Sequence, residues 1–241
     1  MNENQFTKKL FETFNINNLN QKLDEEKAKK LFQFAEILIE TNKSFNLTAI
    51  TEENDIILKH FADCATALDH IPNGASIIDV GCGAGFPSVP IAILRKDVNV
   101  TALDSTAKRI GFINDVAQEI SLNNILGVAA RAEDFAKTNR EKFDVSISRA
   151  VARLNVLSEL CLPLTKVGGR FIAMKASKGE EEFSESKKGI KVLGGTLSEK
   201  QAVELSLNEM KIEREIYVFE KASKTPAQYP RNYSQISKKP L

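Results

Sequence analysis

The stretch Ile77-Ile78-Asp79-Val80-Gly81-Cys82-Gly83-Ala84-Gly85-Phe86-Pro87 restricts what this chain can fold into more than any other segment. Ile77, Ile78 and Val80 are β-branched and predict a short buried strand, and an apolar helical pattern begins after Phe86. Between them, Gly81, Gly83 and Gly85 let the backbone turn sharply and approach a ligand without Cβ hindrance. A strand, a glycine loop and a helix in that order make the ligand-binding turn of a βαβ unit. The spacing narrows the ligand. A nicotinamide fingerprint runs G-x-G-x-x-G, with its last glycine where helix meets strand; here that position holds Phe86 and the glycines run G-x-G-x-G. Dinucleotide binding therefore fits poorly. Asp79, just before the loop, reads both as a ligand contact and as an acid that orders the turn by accepting its backbone N–H groups.

With Asp79 in that place, the pattern resembles motif I of the class I S-adenosylmethionine-dependent methyltransferases. The resemblance implies that the loop wraps the methionine end of the cofactor. Asp104 ends the next apolar run, about 25 residues after Asp79, close to where doubly wound folds place a ribose-binding acid. NAD and S-adenosylmethionine sites share such an acid, so Asp104 supports an adenosyl ligand without choosing between them; helix capping is its other reading. Ala132-Glu133-Asp134 follows the third apolar run, where the adenine edge lies in this fold, although Glu133-Asp134 taken alone is an ordinary acidic helix start.

The rest of the chain supports an α/β fold. Before residue 70, Phe6, Leu10, Phe11 and Phe14, then Ala28, Leu31, Phe32, Ala35, Leu38 and Ile39, recur at helical spacing. Asp24-Glu25-Glu26 starts the second helix and Asn42-Lys43-Ser44 stops it, and a third helix is expected from Glu52 to Leu68. From Ala75 onward, short apolar runs alternate with helical segments. Strands are expected at Ile77 to Val80, Val98 to Leu103, Ile125 to Ala129, Val145 to Ser148 and Phe171 to Lys175, with helices at Pro87 to Leu94, Lys108 to Ile120 and Arg153 to Leu164. A closing pair is expected at Ile190 to Leu197, broken by Gly194-Gly195, and at Glu215 to Glu220. The expected architecture is a seven-stranded, mostly parallel, Rossmann-like sheet with helices on both faces, its last strand antiparallel. Its parts are an N-terminal helical extension (1–70), a methyltransferase domain (71–221) and a C-terminal tail (222–241). At 241 residues and 42% apolar content, the chain can bury one sizeable core with a small appendage.

Charge is balanced overall, 33 Lys and Arg against 32 Asp and Glu, so a polyanionic partner must be read from charge distribution. From Lys221 onward there is no acid, and Lys221, Lys224, Arg231, Lys238 and Lys239 stand among prolines and Tyr229 and Tyr233. This composition suits an extended basic arm with stacking rings, as in nucleic-acid-binding tails, or a solvated terminus. It does not suit a core. Cys64, Cys82 and Cys161 are widely spaced, which favours a reducing compartment over a disulfide framework or a metal site. No basic and apolar leader pattern and no bilayer-length apolar run appear, so a soluble cytoplasmic protein is expected.

The fourth apolar run bears on the methyl acceptor. Ser146-Ile147-Ser148-Arg149-Ala150-Val151 lacks the Asp or Asn, two prolines and aromatic with which amino-methylating enzymes hold an exocyclic amine, so adenine N6 is disfavoured. Cytosine C5 chemistry needs a cysteine nucleophile, but Cys161 lies in an apolar helical stretch and Cys82 within the glycine loop, positions that suit packing. Arg149 points toward a substrate that must be oriented, or toward an ion pair with Asp79 or Asp144. Guanine N7 carries a free lone pair at neutral pH and needs no general base. His60 and His70, the only histidines, read as satisfied residues on helix faces.

Together these segments make the chain similar to the bacterial RsmG (GidB) family, which methylates guanine N7 in a loop of 16S ribosomal RNA. The resemblance runs through Phe45-Asn46-Leu47-Thr48, His60-Phe61-Ala62-Asp63, Asp79 to Ala92, Leu103-Asp104-Ser105 with Lys108-Arg109, and Arg131-Ala132-Glu133. It continues through Ser148-Arg149-Ala150-Val151-Ala152, Leu162-Pro163-Leu164, Gly168-Gly169 and Tyr229-Pro230-Arg231. It implies that Asp79, Gly81, Gly83, Gly85, Phe86, Asp104, Ala132, Glu133 and Arg149 contact S-adenosylmethionine. It also implies that Arg149, Lys175 and Arg214 orient the guanine and that Lys108, Arg131 and Arg231 grip RNA, with 16S ribosomal RNA or the small subunit as partner; a monomer without a metal is expected. Two places depart from the family pattern: Ala176 follows Lys175 where glycine is usual, and Asn232-Tyr233-Ser234-Gln235 follows Arg231 where a basic residue and glycine are usual.

Overall fold

The computed structural model describes residues 2–149, 152–176 and 179–241. Ala150 and Val151, part of the Ser148–Ala152 segment, lie outside the described residues, as do Met1, Ser177 and Lys178.

The N-terminal periodicity folds as helices α1 (Glu3–Ile16) and α2 (Glu25–Asn42). Asp24 caps α2 by accepting the Lys27 N–H, with Glu25 and Glu26 favourably placed in the first turn. The helix expected at Glu52 to Leu68 is instead a run of changing pitch. It passes from α3 (Glu53–Asp55) through a π-helix (Ile56–Ala62) and α4 (Asp63–Thr66) into a 3₁₀ turn (Ala67–His70). A wide π turn carries extra residues and re-aims their side chains, a feature common at functional sites.

Beyond residue 75 the chain forms β1 (Ser76–Val80), α5 (Ser88–Leu94), β2 (Asn99–Asp104), α6 (Ala107–Glu119) and β3 (Ile125–Ala129). There follow α7 (Ala132–Phe135), β4 (Phe143–Arg149), α8 (Leu154–Cys161) and β5 (Thr165–Lys175). The last elements are α9 (Gly179–Val192), β6 (Gly195–Leu207), β7 (Met210–Lys221) and α10 (Tyr233–Lys238). The seven strands are ordered β3-β2-β1-β4-β5-β7-β6, all parallel but for β7, which runs antiparallel to both its neighbours. The order reverses between β1 and β4, where ligands bind in doubly wound sheets.

The closing pair corrects the expected boundaries. Ile190 belongs to the last turn of α9; Gly194, with φ +87, turns the chain out of that helix, and the strand begins only at Gly195. Ile190 and Leu193 are buried under the sheet on the helix side, so their apolar character said nothing about strand pairing. The helix itself, opening on Glu180, Glu181 and Glu182, was not expected.

Strand alternation sends neighbours to opposite faces. Ile77, Ile172 and Val218 join a core with Phe6, Leu10, Phe14, Phe34 and Phe61, while Ile78, Phe171 and Phe219 join Leu157, Tyr217 and Ile236. The N-terminal helices are thus continuous with the first core. Phe34 of α2 packs at 5.2 Å from Phe86 in the glycine loop and 6.0 Å from Phe61, and each fully buried Phe contributes roughly 1.5–3 kcal/mol.

The tail also corrects expectation, for it packs back across the domain. Lys221 is fully buried and donates to Glu141 and to the Leu162 and Thr165 carbonyls. Arg140 donates to the carbonyls of Thr225, Pro226 and Tyr229, and Ile236 has no exposed surface. Among the described residues no helix is long and apolar enough to cross a membrane.

Candidate active site

At the carboxyl end of β1 the backbone enters the glycine loop with φ +77 at Gly81, +57 at Gly83 and +89 at Gly85, conformations that disfavour a side chain. Asp104 orders this loop: its Oδ2 accepts from Gly83 N at 3.1 Å and its Oδ1 from Thr106 N at 2.8 Å. Asp79, expected to hold the glycine turn, instead accepts from Ser88 N at 3.0 Å at the start of α5. Its Oδ1 is buried and has no hydrogen-bond partner among the described residues. Burial raises the Asp79 pKa to about 7, against the lowering effect of Ser88. An unpartnered buried carboxylate oxygen two residues before the glycine loop suits a ligand carrying positive charge and N–H donors, although Asp79, like Gly85, lines neither of the two cavities described below.

The cavity above the loop has a volume of about 500 Å³. Its floor is Gly81 to Ala84 with Phe86; its far walls come from Leu47, Thr48 and the π-helical turn, and from Arg149, Lys175 and Arg214 at the ends of β4 and β5 and on β7. Asp63, only 1% exposed, ties the basic wall together: its Oδ2 accepts from Arg149 Nη1 at 2.9 Å and its Oδ1 from Arg214 Nε at 3.1 Å. Arg149 Nη1 also donates to the Lys59 carbonyl at 3.0 Å. The Arg149 guanidinium lies 5.1 Å from the Phe86 ring centroid, a cation–π distance. His60 stacks on the same ring at 3.9 Å, and its Nδ1 lies 3.0 Å from Arg149 Nη2. Burial, reinforced by Arg149, drives the His60 pKa well below its ordinary value. The ring is therefore neutral and accepts at Nδ1 from Arg149, which assigns its proton to Nε2, facing Thr48 Oγ1 at 3.3 Å.

A second cavity, about 270 Å³, continues from the first past Gly81, Asp104 and Arg109 and ends at Ala132, Glu133 and Tyr233. The two together make an elongated groove with an acid at the centre, the shape an adenosyl cofactor needs. A family profile described as rRNA small subunit methyltransferase G matches residues 27–214. The chain belongs to this family. It is 48% identical over 222 residues to the ribosomal RNA small subunit methyltransferase G of Staphylococcus carnosus (strain TM300), covering 90% of this chain and 92% of that one. It is 41% identical over 239 residues to the same-named protein of Clostridium botulinum (strain ATCC 19397 / Type A), covering 95% and 99%. Among solved structures, the fold is similar to the precorrin-6y C5,15-methyltransferase of Geobacter metallireducens GS-15 (TM-score 0.51, 15% identity, 74% of this chain and 93% of that one). It is similar also to M. jannaschii TYW2 in complex with AdoMet (TM-score 0.51, 16% identity, 65% and 74%).

In this member of the methyltransferase G family, the residues singled out from sequence do not all gather in one place. Gly81, Gly83, Phe86, Asp104, Arg149, Lys175 and Arg214 line the first cavity, and Arg131, Ala132 and Glu133 line the second. Lys108 is exposed on the first turn of α6; its neighbour Arg109 is the one that lines both cavities, 3.5 Å from Asp104. Lys175 is engaged by Glu182 of the unexpected α9 at 2.6 Å and by the Ala152 carbonyl at 2.7 Å. Arg231 donates to the fully buried Glu159 from Nε at 2.9 Å and from Nη2 at 2.6 Å, so its guanidinium anchors the tail. Arg149 pairs with Asp63 and not with Asp79 or Asp144; Asp144 is held by Ser76 and Lys166. Asp63 and the role of His60 escaped sequence reasoning, because the helical pattern there gave no sign of the wide turn that aims them inward. Burial raises the thiol pKa of Cys64 to about 12 and pushes Cys82 and Cys161 up as well, which leaves no ready thiolate nucleophile. Among the described residues no cluster of three or more His, Cys, Asp or Glu side chains is placed to hold a metal ion.

The loop glycines are expected to respond unequally to substitution. A Cβ at Gly85 would sit 2.7 Å from Val89 Cγ2, on a stiff β-branched side chain, whereas one at Gly83 meets nothing within 4 Å. Gly85→Ala should therefore cost about 1–3 kcal/mol of stability through overpacking and left-handed strain. Gly83→Ala should cost about 1 kcal/mol from backbone strain alone and act mainly on ligand affinity. Urea unfolding beside ligand titration of both variants checks the order.

Proposed function

We propose that the protein transfers a methyl group from S-adenosylmethionine to N7 of a guanine in 16S ribosomal RNA of the small subunit, acting as a monomer in the cytoplasm. One observation carries the reading: a cavity begins at the glycine loop and ends at two arginines held by the single buried carboxylate of Asp63. Arginine is the side chain suited to the N7/O6 edge of guanine, where both groups are acceptors. The reducing compartment agrees with three buried cysteines without disulfides.

S-adenosylmethionine supplies an electrophilic methyl group on a sulfonium centre. Asp79, Gly81, Gly83 and Phe86 would hold its methionine end, Asp104 its ribose, and Ala132 and Glu133 its adenine. Guanine N7 holds its lone pair at neutral pH, so the protein needs no side chain to remove a proton. Its work is placement, and holding a nucleophile in line can lower a barrier by several kcal/mol. Arg149 is immobilised by the Lys59 carbonyl, His60, Asp63 and Phe86 and so keeps one orientation. Arg214, fixed by Asp63 through Nε and by the Glu213 carbonyl through Nη1, lines the cavity; in this reading it would donate to guanine O6 while N7 stays free. Phe86 and His60 give a flat apolar wall against which rings pack.

The test incubates the protein and labelled cofactor with unmodified 16S RNA and, separately, with small subunits, then maps modified nucleosides by mass spectrometry. The expected product is 7-methylguanosine at one position, its yield falling steeply with salt as phosphate contacts are screened. Methylation of neither substrate, or of a different atom, would overturn the reading.

A further inference from the structure

The lining of the second cavity includes a residue from the C-terminal tail. Tyr233 lines it together with Ser105, Arg131, Ala132, Glu133 and Leu160. Its backbone N–H donates to Glu133 Oε1 at 3.3 Å, which ties the segment directly to the acid assigned to the adenine end. The segment is held there by anchors on both sides of Tyr233. Before it, Arg231 makes three hydrogen bonds to Glu159, one from its backbone and two from its guanidinium, and Arg140 clasps three carbonyls of the preceding turn. After it, Ile236 is fully buried and Leu241 packs against Gly189 of α9. Between these anchors Tyr233, with its backbone fixed and its residue in the cavity lining, remains 41% exposed.

We infer that Tyr233 is part of the cofactor site and forms the aromatic outer wall for the adenine ring, so that the C-terminal strap completes the groove. The inference rests on the proposed function for the identity of the ligand. Asp104 sits where the two cavities join and takes the ribose; the base must then lie on the far side, toward Ala132 and Glu133, which is where Tyr233 stands. A purine at that point has its edge toward Glu133 and a face available to a ring, and every base offers a π-face on which an aromatic side chain can stack. The aromatic-bearing basic tail, which composition alone offers to RNA, thereby serves the cofactor.

S-adenosylhomocysteine is the probe, titrated calorimetrically into the full-length chain. Tyr233→Ala is expected to weaken binding about tenfold, equivalent to about 1.4 kcal/mol, and Tyr233→Phe to retain near wild-type affinity. Because the chain contains no tryptophan, Tyr233→Trp creates a single emitter at the wall, and its fluorescence should change in proportion to saturation. Unchanged melting of the ligand-free variants, secured by Arg231 and Ile236, separates lost stacking from a detached strap. Binding of Tyr233→Ala within twofold of wild type, or Tyr233→Trp emission unaltered at saturation, would overturn the inference and leave the proposed function standing. No binding by the wild-type chain would overturn both.

Discussion

Asp63→Ala is expected to lower the single-turnover rate of methyl transfer roughly 100-fold at saturating cofactor, the scale set by displacing a positioning group by about 1 Å. Asp63 is 1% exposed and is the one carboxylate shared by Arg149 and Arg214, whose side chains are 13% and 23% exposed. Removing it leaves two inward guanidiniums beside each other without their counter-charge. Breaking a buried pair in this way costs roughly 3–5 kcal/mol, so urea unfolding should register a large loss beside the kinetic one. Asp63→Asn keeps the volume and one acceptor oxygen and should fall between. A rate within threefold of wild type in stably folded Asp63→Ala would show that the arginines need no such brace.

The second large effect divides stability from binding. Asp79→Asn should weaken cofactor affinity by roughly 10- to 100-fold, the loss expected for hydrogen bonds to a charged partner, yet make the ligand-free protein more stable above neutral pH. The carboxyl pKa is about 7 in the folded chain, raised by burial from its ordinary value of 3.8. A raised acid holds its proton in the folded state while the unfolded chain has released it. Its contribution is therefore fully present below about pH 4 and is lost as pH rises through about 7. With each pKa unit equal to about 1.4 kcal/mol, the loss reaches about 4 kcal/mol at alkaline pH. The asparagine side chain does not titrate, so the gap between variant and wild type should open between about pH 4 and 7 and then stay constant. Denaturation curves across that range, paired with calorimetry, check both halves; equal pH slopes for the two proteins would remove the physical basis.

Such a residue is costly to the empty protein and useful only with its ligand, a common arrangement at functional sites. The same logic explains why the glycine loop was legible in sequence. Left-handed backbone at Gly81, Gly83 and Gly85 has a local chemical requirement, and β-branched residues before it require a strand. The helix cap at Asp24 and the parallel strands with their apolar runs are legible for similar reasons, since each depends on neighbours a few residues away.

The features that depart from the sequence expectation depend on distant partners. Ile190 and Leu193 look alike to a strand and to a buried helix turn, and only packing under the sheet separates the two. The tail appeared unable to build a core because its own composition lacks one; it borrows Glu159, Glu141 and Arg140 from the domain, and Ile236 completes a core already present. Lys175 and Arg231 looked like free cations because Glu182 and Glu159 are remote from them or hidden in an unexpected helix.

The sequence by itself determined the α/β class, the left-handed glycine loop after the first strand, and the family, because periodicity, turn chemistry and ordered motifs are local properties. The tertiary structure alone decided that Asp63 braces Arg149 and Arg214, that a neutral His60 stacks on Phe86, and that Tyr233 reaches Glu133 in the lining of the second cavity. Those pairings join residues dozens to more than a hundred positions apart, and electrostatic and packing partners at that separation exist only once the sheet has brought them together.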